Sequence, residues 1–198
     1  MEIPFINVHT HWTSNNENNL CIVNLDLNQP CPEQGYYSYG IHPWALDNAD
    51  FQMEKIFSLL EEKLQSPNVL ALGEAGLDKM HKDGFEQQIV VFERQIKLSE
   101  TLQKPMILHG FNGTEQDIQQ LTGQGLFISV GESVLHSERK IAKSLISIPL
   151  DLLFLETDMA EIGIETVYET AAKILDIDIA VLQRRIFANF ARLFGLEK

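Results

Sequence analysis

Basic residues are scarce. The chain of 198 residues has 15 lysines and arginines against 28 aspartates and glutamates, a formal net charge of −13. Such a chain lacks the broad cationic groove that usually supplies non-specific affinity for nucleic-acid phosphates. One strand end reaching a metal is not excluded, because a bound cation dominates the charge around it. Cysteine is scarce too: Cys21 and Cys31 are the only two, fit no zinc spacing and argue against a disulfide scaffold. No apolar run approaches the roughly 18–20 residues that span a bilayer, so no membrane partner is expected. Glu2 stands where a leader would be basic, so a signal peptide is not expected and the expected compartment is the cytoplasm. Repeats, low-complexity tracts and linkers are also missing. The stretch 1–198 therefore reads as one domain, large enough to bury roughly 70% of its unfolded surface.

What is present is an alternation of short β-type runs and amphipathic stretches, the pattern of an α/β fold with a mainly parallel sheet. The expected strands are 3–9, 20–26, 36–42, 69–74, 104–109, 126–131 and 152–157. Several are continuous apolar runs, such as Val69-Leu70-Ala71-Leu72 and Leu152-Leu153-Phe154-Leu155, as suits strands covered on both faces. Helices are expected over 50–65, 84–103, 164–175 and 178–195, with Thr114 capping another that carries Ile118 and Leu121. In 84–103 the stripe Phe85, Ile89, Phe92, Ile96 is read as the core face. The polar stretch 12–19 and the Pro- and Gln-rich stretch 27–35 make the first two crossovers loops.

Metal-type side chains end these runs. His9 and His11 lie two apart after Ile3-Pro4-Phe5-Ile6, and in an extended strand such residues project to the same side. Two converging imidazoles suit a borderline or transition-metal ion. Glu74, His109 and Asp158 end later runs, and His42, His81 and His136 also follow strands. In (β/α) barrels reactive groups gather at the C-terminal ends of the strands. All six histidines would then share one rim.

The set His9-Thr10-His11, Gly40-Ile41-His42-Pro43-Trp44, Gly73-Glu74-Ala75-Gly76-Leu77-Asp78, Pro105-Met106-Ile107-Leu108-His109, Glu156-Thr157-Asp158 and Asn189-Phe190-Ala191-Arg192-Leu193-Phe194-Gly195 resembles the TatD family of metal-dependent hydrolases. The resemblance runs over essentially the whole chain. It implies a (β/α) TIM-type barrel and a deoxyribonuclease-like hydrolase of phosphoester bonds. One or two divalent ions, Mg, Mn or Zn, would serve it, with a DNA end or a small phosphodiester as partner. It also implies that His9 and His11 hold one metal and that Glu74 bridges two. Asp158 would be a ligand that takes the proton of the attacking water, Glu74 the second catalytic carboxylate, and His42 a contact to the substrate phosphate. Asp78 and Lys79 read either as contacts to the ligands or substrate or as solvated loop charges.

There is one departure. Members of the family normally carry two further histidines, ending the fifth and sixth strands, the second followed by a Gly-Phe-x-Gly-like turn. Here His109 runs directly into Gly110-Phe111-Asn112-Gly113, as if one helix–strand unit were missing and the two histidines had merged. About seven strands are therefore expected, the second metal loses a ligand, and an unclosed edge suggests a homodimer. His136 and His81 are the substitutes for that ligand. Glu156 reads as a buried hydrogen-bonding group and Asn189 as a loop anchor. Two alternatives stay open: a mononuclear hydrolase of a small amide or ester, and a non-catalytic barrel with a degenerate metal site.

Overall fold

The computed structural model describes residues 3–13, 16–48, 50–80 and 84–195. They form two compact units, one of residues 1–23 and 107–198, the other of residues 24–106. His81, one proposed substitute ligand, lies outside the described residues.

The first unit opens with β1 (Phe5–Thr10), parallel to β2 (Asn19–Asn24) in the register Phe5↔Asn19, Ile6↔Leu20, Asn7↔Cys21. The register slips between Asn7 and Thr10, so the irregularity brackets His9. Such irregularities re-aim side chains near sites. Further along, β5 (Ile128–Val130) and β6 (Leu153–Leu155) pair in parallel. All six residues are buried, which explains why β6 reads as unbroken apolar sequence and β5 as apolar but for Ser129.

Helices α3 (Glu115–Thr122), α4 (Lys140–Ser144), α5 (Ile164–Leu175) and α6 (Ile179–Phe194) belong to this unit. Thr114 caps α3 with a full capping box: its hydroxyl accepts from Asp117 N while the Asp117 carboxylate accepts from Thr114 N. On α5, the buried Tyr168 hydroxyl bridges the backbone of Ile6, accepting from its N–H at 3.2 Å and donating to its carbonyl at 3.1 Å. Asn189 on α6 donates to the carbonyls of Leu150 and Leu153, fixing the chain that leads into β6.

The second unit holds β3 (Tyr36–Tyr39), α1 (Met53–Leu64), β4 (Val69–Leu72) and α2 (Phe85–Leu102), with β3 and β4 parallel. The buried positions of α2 are Gln88, Val91 and Gln95, and Ile96 is 37% exposed. This corrects the expected core stripe. The face turns because two glutamines serve the loops beneath: Gln95 takes both the N–H and the carbonyl of Ile41, and Gln88 accepts from Asp78 N. A buried amide with both ends paired is tolerated where an unpaired one is costly.

The expected strand at 104–109 is reduced. Six strands are present among the described residues, and this stretch contributes one bridge, Leu108↔Ile128. Pro105 has no N–H to donate and offers only its carbonyl, to Leu72 N, and Gly110 then turns the chain at φ +60°. Among the described residues no helix is long and apolar enough to cross a membrane.

Candidate metal centre

The ends of β1 and β6 are laced together by backbone. Thr157 N and Asp158 N both reach the carbonyl of His9, and His11 N donates to the carbonyl of Asp158. Asp158 itself has a left-handed backbone, φ +50°. Aspartate tolerates that conformation better than most residues, and it turns the chain sharply after the strand.

This lacing delivers the side chains. His9 Nε2 lies 3.4 Å from Asp158 Oδ1, and His11 Nε2 lies 3.5 Å from the same oxygen. The two imidazoles meet edge to face with centroids 5.3 Å apart, and one ligand atom from each of His9, His11 and Asp158 falls within 4.8 Å of the others. His9 is buried and its Nε2 has no hydrogen-bond partner. A buried nitrogen left in that state beside a carboxylate and a second imidazole has the donor chemistry a divalent ion needs. The His9 imidazole is the main cause holding the Asp158 carboxyl below the usual carboxylate range; burial opposes it, and the charges of His9, His109 and His11 add to it.

His109 belongs to the same unit, its ring centroid 4.2 Å from that of His9. Behind it, Glu156 is fully buried, accepts from Gly110 N at 2.6 Å and stands 3.8 Å from His109 Nδ1. Burial pushes its carboxyl above the usual range, against the lowering influence of His9, His109, the Ser129 hydroxyl and the Gly110 N–H. His136 is not brought to these groups. It sits half-exposed between Glu132 and Glu138, 3.8 and 4.0 Å away.

Three residues at this site were not anticipated: Asn7, Thr10 and Thr157, all buried. Asn7 pairs with Thr157 through both ends of its amide, and the Thr157 hydroxyl meets that of Thr10 at 3.2 Å. This polar seam braces β1 against the segment that carries Asp158. The available signal was Asn7 itself, a polar residue two positions before His9 and so on the same strand face.

In the second unit His42 Nε2 lies 3.9 Å from Glu74 Oε1. His42 Nδ1 accepts from Trp44 N, so in the neutral imidazole the proton is on Nε2, toward Glu74. Gly40 has no room for a side chain, since a Cβ there would lie 2.3 Å from the Glu74 carbonyl oxygen. His42 and Glu74 line a cavity of about 390 Å³ together with Trp44, Asp26 and Asp50. Asp78 has a structural part: it accepts from Trp44 Nε1 and Met80 N.

The family model described as TatD related DNase matches residues 6–110 and 105–195. The chain belongs to the TatD-related DNase family. The two matched segments overlap at 105–110, the stretch where the His109 run meets the Gly-Phe-Asn-Gly turn. Among curated TatD-like relatives, an uncharacterized metal-dependent hydrolase of Methanocaldococcus jannaschii is 24% identical over 193 residues, covering 80% of this chain and 75% of that protein. The uncharacterized metal-dependent hydrolase YjjV of Escherichia coli K12 is 29% identical over 150 residues, 62% of this chain and 57% of YjjV. The 3'-5' ssDNA/RNA exonuclease TatD of Erwinia tasmaniensis is 26% identical over 167 residues, 68% of this chain and 61% of that enzyme. The match thus spans about three fifths of the last two proteins. The crystal structure of E. coli YjjV, a TatD homologue, superposes with a TM-score of 0.82 at 20% identity over all of both chains. At that identity the likeness carries the fold, an α/β fold of the TatD barrel type.

Proposed function

We propose that this TatD-family chain is a metal-dependent phosphoester hydrolase that acts on the end of a nucleic-acid strand or on a small phosphodiester. The observation that supports it is the convergence of His9 Nε2 and His11 Nε2 on one oxygen of Asp158, with His9 buried. His9, His11 and Asp158 would hold the ion, and His109, whose ring lies beside that of His9, would extend the ligand set. A divalent ion held there supplies Lewis acidity and lowers the pKa of water. Asp158 is kept ionised beside the imidazoles, and its role as acceptor of the water's proton rests on the resemblance. The ligand role of Glu74 and the phosphate contact of His42 rest on the resemblance.

Metal-stripped protein should cleave neither single-stranded DNA nor a small phosphodiester, and Mg²⁺, Mn²⁺ or Zn²⁺ should restore cleavage. Failure of all three ions on both substrates would retire the proposal. A second reading, a single-metal hydrolase of a small amide or ester, is favoured by the net charge of −13. For it the trio of His9, His11 and Asp158 with an open coordination position suffices.

A further inference from the structure

A cavity of the first unit, of about 280 Å³, lies next to the proposed metal centre and is lined by none of its proposed ligands. Thr157 lines both this cavity and the hollow that contains Asp158. Trp12 follows His11 directly, lines the cavity and is 50% exposed, with its backbone N–H held by the Thr10 hydroxyl. An indole half in water beside a cavity is an unused stacking surface. Asn19 lines the cavity too. Its Nδ2 donates to Glu165 Oε1, which fixes the amide's orientation, and its Oδ1 is buried without a partner. A buried acceptor in that state costs free energy until a donor reaches it. Among the described residues of the lining the one that is charged is Glu161, a carboxylate, which repels a phosphate.

We infer that this cavity receives the base of the substrate's terminal nucleotide, stacked on Trp12, with a ring N–H donated to Asn19. The inference rests on the phosphoester reading of the neighbouring site and deepens it. Volume and chemistry agree: the cavity is at the small end of ligand pockets, takes a flat uncharged ring, and leaves the phosphate to the trio. Base–aromatic stacking tolerates any base face, so the ring N–H would favour uracil-, thymine- or guanine-like rings over cytosine and adenine, and the small volume favours the pyrimidines.

The test is calorimetric titration of uridine into metal-stripped protein, where nothing is turned over. Uridine should bind saturably, and 3-methyluridine, which has lost the ring N–H, should bind more weakly. Trp12→Ala should weaken uridine binding by roughly tenfold or more, the scale of one lost stack, while Trp12→Phe keeps most of it. Absence of uridine binding to the wild type overturns the inference. So does binding that Trp12→Ala leaves intact, an equal loss in Trp12→Phe, or equal affinity for 3-methyluridine. Metal-restored cleavage of a small phosphodiester needs no base, so it can succeed where this fails.

Discussion

Asp158 concentrates three tasks in one residue. Its carbonyl accepts from His11 N, its N–H pairs with the carbonyl of His9, and its carboxylate meets both imidazoles. Removing that carboxylate should therefore act on the metal before it acts on the fold. Asp158→Asn keeps the backbone pairing, and elemental analysis should show at least one divalent ion per chain lost. The same measurement decides His109: His109→Ala should lower the metal content by one ion, and an unchanged content would remove His109 from the ligand set. Tyr168 makes a purely structural prediction. Tyr168→Phe strips both hydrogen bonds from the buried backbone of Ile6 and should cost about 1–3 kcal/mol in urea unfolding, with metal content unchanged. At this scale His9 and His11 were legible because strand alternation alone puts i and i+2 together. The seam of Asn7, Thr10 and Thr157 was not, since it depends on which partner lies across from β1, and a single sequence carries no such pairing.

The helices were the most legible elements, because amphipathic stripes and caps are local: α5 was expected at 164–175 and is Ile164–Leu175. The face of α2 was misread for a non-local reason, the loops that Gln88 and Gln95 hold. Gln95→Leu, close in size, would strand the N–H and carbonyl of Ile41 and should cost about 2 kcal/mol or more in thermal unfolding. Ile96→Ser, at a position the stripe placed in the core, should stay within about 0.5 kcal/mol of wild type. Losses of equal size in the two variants would restore the apolar stripe as the packed face. The strand expected at 104–109 failed because Pro105 cannot complete a ladder, and this apolar run is not even fully buried, Leu108 being 37% exposed. Helix α3 gives the pH prediction. The Thr114 backbone N–H, then its hydroxyl, lower the Asp117 carboxyl below its ordinary 3.8. A lowered folded pKa means that the cap's contribution is full above the unfolded value and is lost as pH falls through the folded one. Carbon chemical shifts of residues 115–122 should therefore report helix fraying below about pH 4. Asp117→Asn should flatten that dependence.

For the molecule as a whole, charge and family pull in opposite directions. The chain belongs to a family whose name includes a nuclease, and some relatives carry exonuclease names, yet its net charge is −13. Among the described residues, no lysine or arginine lines any of the three cavities. A protein that neutralises Z phosphates loses affinity with a slope of roughly −0.9Z in log salt on duplex DNA and about −0.7Z on single strands. With a net charge of −13 and no lysine or arginine among the described residues lining these cavities, Z is expected to be small. Long-range repulsion between like charges also weakens as salt rises, which pushes the slope toward zero or above. Cleavage of an oligonucleotide should then show a kcat/KM that changes little between about 50 and 200 mM salt, with a log–log slope no steeper than roughly −1. A dinucleotide should be cleaved nearly as well as a longer strand, because a chain of net charge −13 offers added phosphates little attraction. A slope near −4, or a strong preference for length, would mean that the protein tracks a polynucleotide backbone in spite of its charge. Flat salt and length dependence would place recognition at one phosphate and one base, beside His9, His11 and Asp158.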